Sequence, residues 1–307
     1  MSDQDVNTAK HIGIEVSANA LTVVGLDASG NLIDAFHTPA APTGSVQEQI
    51  VAIAEDITGK FGEVGAIGIA LPGLITTDKR RVAYSVHFPE HSTVDIQKEI
   101  EAATGRTPLI ENDANAAAYG EFRKGAGRGS KDLFYVTLGQ GIGGAFILDG
   151  SIWRGASGFA GEFGYLTVNS EGLRLEDVAS AGNIVRRTRN RFNRDSTSSL
   201  NRFHEQAINL DEIVNAADNG DDFAQLMLTR TGSYIGMGVA SVINLMNIET
   251  VVIGGEIMEA GHLVLDSIIK RAKDLSFAPS FAQTTIVSGQ LGHNAAAVGV
   301  ALLASGL

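Results

Sequence analysis

Apolar and polar positions alternate in short blocks at the start of the chain. HIGIEVSANALTVVGLDASGNLIDAFHTPA, residues 11–40, predicts three short strands, with a tight turn at Ala28-Ser29-Gly30-Asn31. The period then lengthens. Val46, Ile50, Ile53, Ile57 and Phe61 share one helical face, and Ser45 with Glu48 forms a capping box ahead of them. VGAIGIALPGLI is an apolar strand broken at Pro72-Gly73, DIQKEIEAATG a helix stopped by Gly105, and TPLIEN another strand. From Lys131 the pattern starts again. DLFYVTL and GGAFILD predict strands joined through Gly139-Gln140-Gly141-Ile142-Gly143-Gly144, then Asp149-Gly150 and a third strand at 151–154. Helices follow near Leu175, over 221–247, near 259–273 and near 293–305. Strands are expected at 249–253, ending in Gly254-Gly255, and at 284–287. Two successive units each open with a strand meander and then alternate helix and strand, which predicts a duplicated α/β architecture with an interlobe cleft. A doubly wound dinucleotide fold would put its glycine-rich turn between strand and helix, whereas strands flank these glycines on both sides.

Polar residues concentrate where the pattern changes period. In LIENDANAAAYGEF, residues 109–122, Glu111, Asn112, Asp113 and Asn115 crowd the point where a strand becomes a helix. Asp113 as a helix N-cap, with Asn112 as a turn residue, is one reading. A cap needs only one such residue, and a functional strand end is the other. TLGQGIGG offers glycines whose missing Cβ lets backbone amides reach phosphate oxygens, although a tight hairpin explains it nearly as well. Gly254-Gly255 could likewise lie against a flat ligand or simply turn the chain. Glu162, in RGASGFAGEFGYLTV, could accept two hydroxyl hydrogen bonds from a polyol or be a solvated loop acid.

Composition narrows the classes. Of 307 residues 44% are hydrophobic and 19% charged, a globular profile with room for two cores. A net charge of −12 argues against a general nucleic-acid or anionic-membrane binder. The arginine-rich run at 186–194 (RRTRNRFNR) is the basic exception and reads as a solvated helix end and loop. With no cysteine, disulfides and thiolate metal sites are excluded. The polar start MSDQDVNTAK lacks the apolar core of a signal peptide, and no apolar run reaches the roughly 18 residues of a membrane span. A cytoplasmic location is therefore expected.

These motifs resemble those of the ROK family (repressors, open reading frames and sugar kinases). The run from Leu138 to Tyr165 fits the family's signature segment at every defined position except the last. ENDANAAAYGE is similar to its catalytic segment, LEDVASAG to its L-E-x-x-A-S, VVIGGEIMEAG to its adenosine-side strand and turn, and LGHNAAAVGVALLA to its closing helix. The resemblance implies the actin-like two-lobed fold, with a smaller lobe of residues 1–116 plus 295–307 and a larger lobe of 117–294. It implies ATP-dependent phosphorylation of a hexose, with glucose to glucose 6-phosphate as the default, Asp113 as general base, and Mg2+ bridging the phosphates. Gly73, His87, Asn112, Glu162, Tyr165 and Glu176 would meet the sugar. Gly139, Gln140, Gly141, Gly254 and Gly255 would meet the nucleotide, with Glu15, Ser17 and Asn19 from the first hairpin. A homodimer is implied as well.

Four departures qualify the match. The family's first phosphate hairpin, D-x-G-x-T-[KR], is here Glu15-Val16-Ser17-Ala18-Asn19-Ala20. Glu15 keeps a carboxylate for outer-shell magnesium contact and Asn19 a donor, but the glycine and the basic residue are gone. The family's zinc site, C-x-C-G-x-x-G-C after a histidine, is replaced by Tyr165 and NSEGLR, so no zinc is expected. His87 stands where an asparagine usually meets the sugar, and Gln140 where a threonine usually meets phosphate. A non-catalytic sugar-binding sensor or regulator, and a polyphosphate-dependent glucokinase, remain as alternatives.

Overall fold

Two five-stranded sheets repeat one strand order. The computed structural model describes residues 9–17, 20–39, 64–76, 78, 81–84 and 95–307, and the helix predicted over 45–61 lies outside them. The chain forms two compact units, residues 1–128, 151–160 and 293–307 in the first and 129–150 and 161–292 in the second. The strands are β1 (His11–Val16), β2 (Ala20–Leu26), β3 (Leu32–Pro39), β4 (Ala66–Leu71), β5 (Leu74–Ile75), β6 (Val82–Tyr84) and β7 (Leu109–Asn112). They continue with β8 (Leu133–Leu138), β9 (Ile142–Leu148), β10 (Ser151–Trp153), β11 (Thr250–Gly254) and β12 (Thr285–Ser288). One sheet runs β3-β2-β1-β4-β7 and the other β10-β9-β8-β11-β12. In each, antiparallel strands come first and two parallel strands extend the sheet on the other side.

The first unit is held by unusually close backbone packing. The helix Ala295–Ser305 is apolar all round and buried along most of its length, as an interior helix must be. It lies on β1 and β4 because those strands offer glycine there. A Cβ on Gly13 would fall 1.8 Å from the Ala297 carbonyl oxygen, and one on Gly68 2.2 Å from that of Val300. Its own Gly299 meets the helix Asp113–Lys124, where a Cβ would sit 1.7 Å from the Ala116 oxygen. That contact explains the run Ala116-Ala117-Ala118 and the nearby Gly120. Any larger side chain would push the two helices apart.

The second unit packs aromatic rings on β8 and β9. Phe134 lies with its ring centroid 4.5 Å from Phe146 and 5.3 Å from Phe163. Asp149 and Gly150 both take positive φ, the turn that suits a two-residue hairpin. The turn predicted over 139–144 is shorter than expected. Only 139–141 leave the ladder, while Gly143 and Gly144 belong to β9, where Gly144 makes room for the Phe134 ring. The arginine run also differs from its solvated expectation. Arg189 donates to the carbonyls of Gln206 and Ile208 and Arg187 to the Thr231 hydroxyl, while Arg186, Arg191 and Arg194 stay exposed. Among the described residues no helix is long and apolar enough to cross a membrane.

Candidate active site

In the first unit the end of β7 carries three consecutive polar side chains with different tasks. Glu111 is buried, 2% exposed, and its Oε2 accepts a charge-assisted hydrogen bond from Arg154 Nη2. Its Oε1 accepts from the Asn112 amide and from Asn115 Nδ2, both at 3.2 Å. Breaking a buried pair of this kind by removing one partner typically costs about 3–5 kcal/mol. Arg154 and Glu111 thus anchor the strand end. Neither was picked out as a partner from sequence, although Glu111 stood in the polar cluster.

The cap belongs to Asn112 rather than Asp113. The Asn112 backbone is extended and its Oδ1 accepts from the Asn115 amide at 3.0 Å, which corrects the reading of Asp113 as the cap. Asn112 Nδ2 donates both to the Gly73 carbonyl at 3.0 Å and to Asp113 Oδ1 at 2.9 Å. Asp113 is the first helical residue, and its Oδ1 also accepts from the Ala114 amide at 2.9 Å. The carboxylate is therefore oriented by two donors at the start of the helix. Gly73 holds a φ of 113°, a conformation suited to glycine in the turn between β4 and β5.

Glu15 on β1 faces the same acid. Burial, and after it the Asp113 carboxylate, push the Glu15 carboxyl up to about 8. At neutral pH the Glu15 carboxyl is therefore largely protonated beside Asp113. A carboxyl held neutral could meet a divalent cation only through water. Ser17 has a local role that its sequence context did not suggest. Its Oγ donates to the Ala20 carbonyl and accepts from the Ala20 amide, at 2.9 and 3.1 Å, so the hydroxyl closes the β1–β2 hairpin. Asn19 and His87 lie outside the described residues.

In the second unit the glycine-rich turn is partly self-satisfied. The Gly139 amide donates to the Gly141 carbonyl at 3.0 Å and the Gly139 carbonyl accepts from Ala181, which leaves the amides of Gln140 and Gly141 as the turn's donors. Gln140 Nε2 donates to Glu256 Oε1 at 3.0 Å, a partner that sequence did not suggest. Glu256 follows Gly254-Gly255, whose glycines have a packing reason. A Cβ on Gly254 would strike the Tyr135 hydroxyl at 2.4 Å, and Gly255, at φ 93°, would strike the backbone of Leu138.

Two carboxyls stand beside this turn. Glu176 Oε2 accepts from the Ile142 amide at 3.1 Å, and Gly141 and Gly164 lie close against it. Glu162 is exposed on the surface, yet surrounding protein atoms partly desolvate its carboxyl, and this together with Glu176 raises it above the usual carboxylate range. Tyr165 is exposed, and one ring face is covered by the Arg174 guanidinium, 4.8 Å from the centroid. Arg174 is fixed by two hydrogen bonds to Asp177, 3.1 and 2.9 Å long. Stacking of Tyr165 on a ligand would have to use its other face. Among the described residues no three His, Cys, Asp or Glu side chains group as metal ligands.

A sequence model of the ROK family matches residues 11–306. The chain belongs to the ROK family. A ROK family glucokinase from Streptomyces griseus, solved in complex with glucose and AMPPNP, is similar at 29% identity and a TM-score of 0.84, covering 97% of this chain and 99% of that one. The glucokinase of Halalkalibacterium halodurans is 30% identical over 84% of this chain and 83% of its own length. The xylose repressor of Bacillus subtilis is 27% identical over 94% of this chain and 75% of the repressor. This ROK chain accordingly has the actin-like α/β fold, and the repeated strand order of its two sheets is that fold's internal duplication.

Proposed function

We propose that this ROK chain is an ATP-dependent hexose kinase, with glucose as its default substrate. The observation that carries the reading is the Asp113 carboxylate, oriented by the Asn112 side chain and the Ala114 amide, with the Glu15 carboxyl pushed up to about 8 beside it. Helix capping does not require it, since Asn112 fills that role. In this reading Asp113 accepts the proton of the attacking sugar hydroxyl, the hydroxyl oxygen bonds to the γ-phosphorus, and ADP leaves. Base catalysis of this kind contributes roughly 10²–10⁴-fold. Asn112, Gly73, His87, Glu162, Tyr165 and Glu176 are proposed to meet the sugar. The Gln140 and Gly141 amides, with Gly254 and Gly255, are proposed to meet the nucleotide. Mg2+ bound through water to Glu15 would neutralise charge on the phosphoryl oxygens. The likeness to a glucokinase solved with glucose and AMPPNP supports this assignment.

The second reading is a sugar-binding regulator, favoured by the match to the xylose repressor and by the inward bonding of Ser17 and Gly139. A coupled assay over a hexose panel, with ATP and with polyphosphate as donors, separates the possibilities. Turnover of glucose with ATP is the expected result, and turnover with polyphosphate alone would change the donor. Sugar binding by calorimetry with no turnover under either donor would overturn the kinase in favour of the regulator. A homodimer, proposed from the family resemblance, is checked by sedimentation.

A further inference from the structure

Three helices of the second unit line a groove of about 510 Å3 that gathers positive charge. Arg187 lies on the helix Ala181–Arg189 and Arg191 just beyond its end. Arg230 lies on the helix Asp222–Met246, and Lys270 and Arg271 on the helix His262–Leu275. Asp274 is the carboxylate of the lining. None of the five cations forms an ion pair with a described residue, in a chain whose net charge is −12. Such a concentration of unpaired like charge costs free energy unless something compensates it.

The groove is built rather than incidental. Gly232 and Gly236 bring the two long helices into near-backbone contact. A Cβ on Gly232 would lie 2.5 Å from the Val264 carbonyl oxygen, and one on Gly236 2.7 Å from the Arg271 Cβ. The stem of Arg271 is thereby seated against the facing helix. Arg187 is held by a 2.6 Å bond from Nη2 to Thr231 Oγ1 and lies 5.8 Å from the Tyr234 ring centroid, while its Nε is buried without a hydrogen-bond partner. Burial lowers the Arg187 guanidinium to about 10; Tyr234 opposes that shift, and Arg191, Arg230 and Arg186 add to it. Burial is the leading cause, so what counts is the geometry, a guanidinium held at the groove wall with one nitrogen left unsatisfied.

We propose that this groove binds a multivalent phosphate anion, with the guanidinium groups of Arg187, Arg191, Arg230 and Arg271 as its donors. Planar guanidinium forks match phosphate oxygens two at a time, and four of the five cations are arginine. The volume falls in the range of small-molecule sites, which suits a condensed or organic phosphate better than a single orthophosphate. A nucleic-acid backbone fits poorly, because the remaining surface of so acidic a chain would repel a long polyanion. None of the lining residues belongs to the candidate active site, so the proposal stands apart from the kinase reading.

Calorimetry at constant ionic strength tests it, with tripolyphosphate, a hexose 6-phosphate and orthophosphate as separate probes. The full chain is compared with Arg230→Gln/Arg271→Gln. The expected result is binding of tripolyphosphate or of hexose phosphate that weakens at least tenfold in the double variant, while the melting temperature changes little. Whichever probe shows the larger loss identifies the source of the phosphate. If Arg271→Gln fails to fold, Arg230→Gln/Lys270→Gln, at two exposed positions, carries the same test. Equal affinity of wild type and variant for all three probes would overturn the proposal. So would loss of self-association in the variant with anion binding unchanged, which would make the groove a surface between copies of this chain.

Discussion

Asp113 keeps its Oδ1 against the Asn112 side chain and the Ala114 amide, so an asparagine there can preserve much of the local geometry. Asp113→Asn is therefore expected to lower turnover by about 10²–10⁴-fold while sugar affinity stays within about tenfold, roughly 1.4 kcal/mol. A coupled assay beside calorimetry measures both, and near wild-type turnover would leave Asp113 only a structural part. Glu15 gives a pH test. Its carboxyl titrates near 8 in the folded chain against an ordinary value of 4.5. Between those values the folded state holds a proton that the unfolded state has released, so stability falls as pH rises through this window. Below about 4.5 both states are protonated and the penalty vanishes, and above about 8 it is fully present. Glu15→Gln should accordingly raise the melting temperature more at pH 9 than at pH 5. A uniform shift across pH would show that Glu15 is not held protonated.

At the scale of elements, the β1–β2 hairpin is closed by the Ser17 hydroxyl, whose two bonds to Ala20 are each worth about 0.5–1.5 kcal/mol. Ser17→Gly/Ala20→Lys removes that closure and reinstates the glycine and cation of the family hairpin. The variant should melt a few degrees lower yet show a lower KM for ATP. An unchanged KM would place the phosphates away from this turn. Most elements were legible in the sequence because their periods and breakers are local. The three opening strands, the Asp95-capped helix ended by Gly105 in the left-handed region, and the 25-residue helix Asp222–Met246 all follow from such signals. The strand–helix junction was legible as a place. Which residue caps it was not, because Asn112 and Asp113 are chemically alike and the choice rests on one backbone ψ. Glu111–Arg154 and Gln140–Glu256 were not legible at all. Each joins positions far apart in the chain, and no local pattern reports such a pairing. The local bonds of the Ser17 hydroxyl were not legible for a related reason, since a hydroxyl can serve the neighbouring backbone as well as a ligand.

For the whole molecule, the absence of cysteine and the exposed Tyr165 in place of a histidine leave no family-type zinc site. Elemental analysis of protein purified without added metal should find no stoichiometric zinc. One tightly bound zinc per chain would contradict this and direct attention to the seven histidines.

The glycine contacts around the helix Ala295–Ser305 bear on motion. With Gly299 pressed to Ala116 and Gly13 to Ala297, backbone meets backbone with no side chain to rearrange between them. Such a seam has few partly open states, and its amides can reach solvent only when the whole unit comes apart. Deuterium should therefore enter residues 114–120 and 296–302 more slowly than residues 16, 17, 20 and 21 at the ends of β1 and β2. If so, Asp113 stands on a fixed post, and in the proposed kinase any gating would have to come from what approaches it.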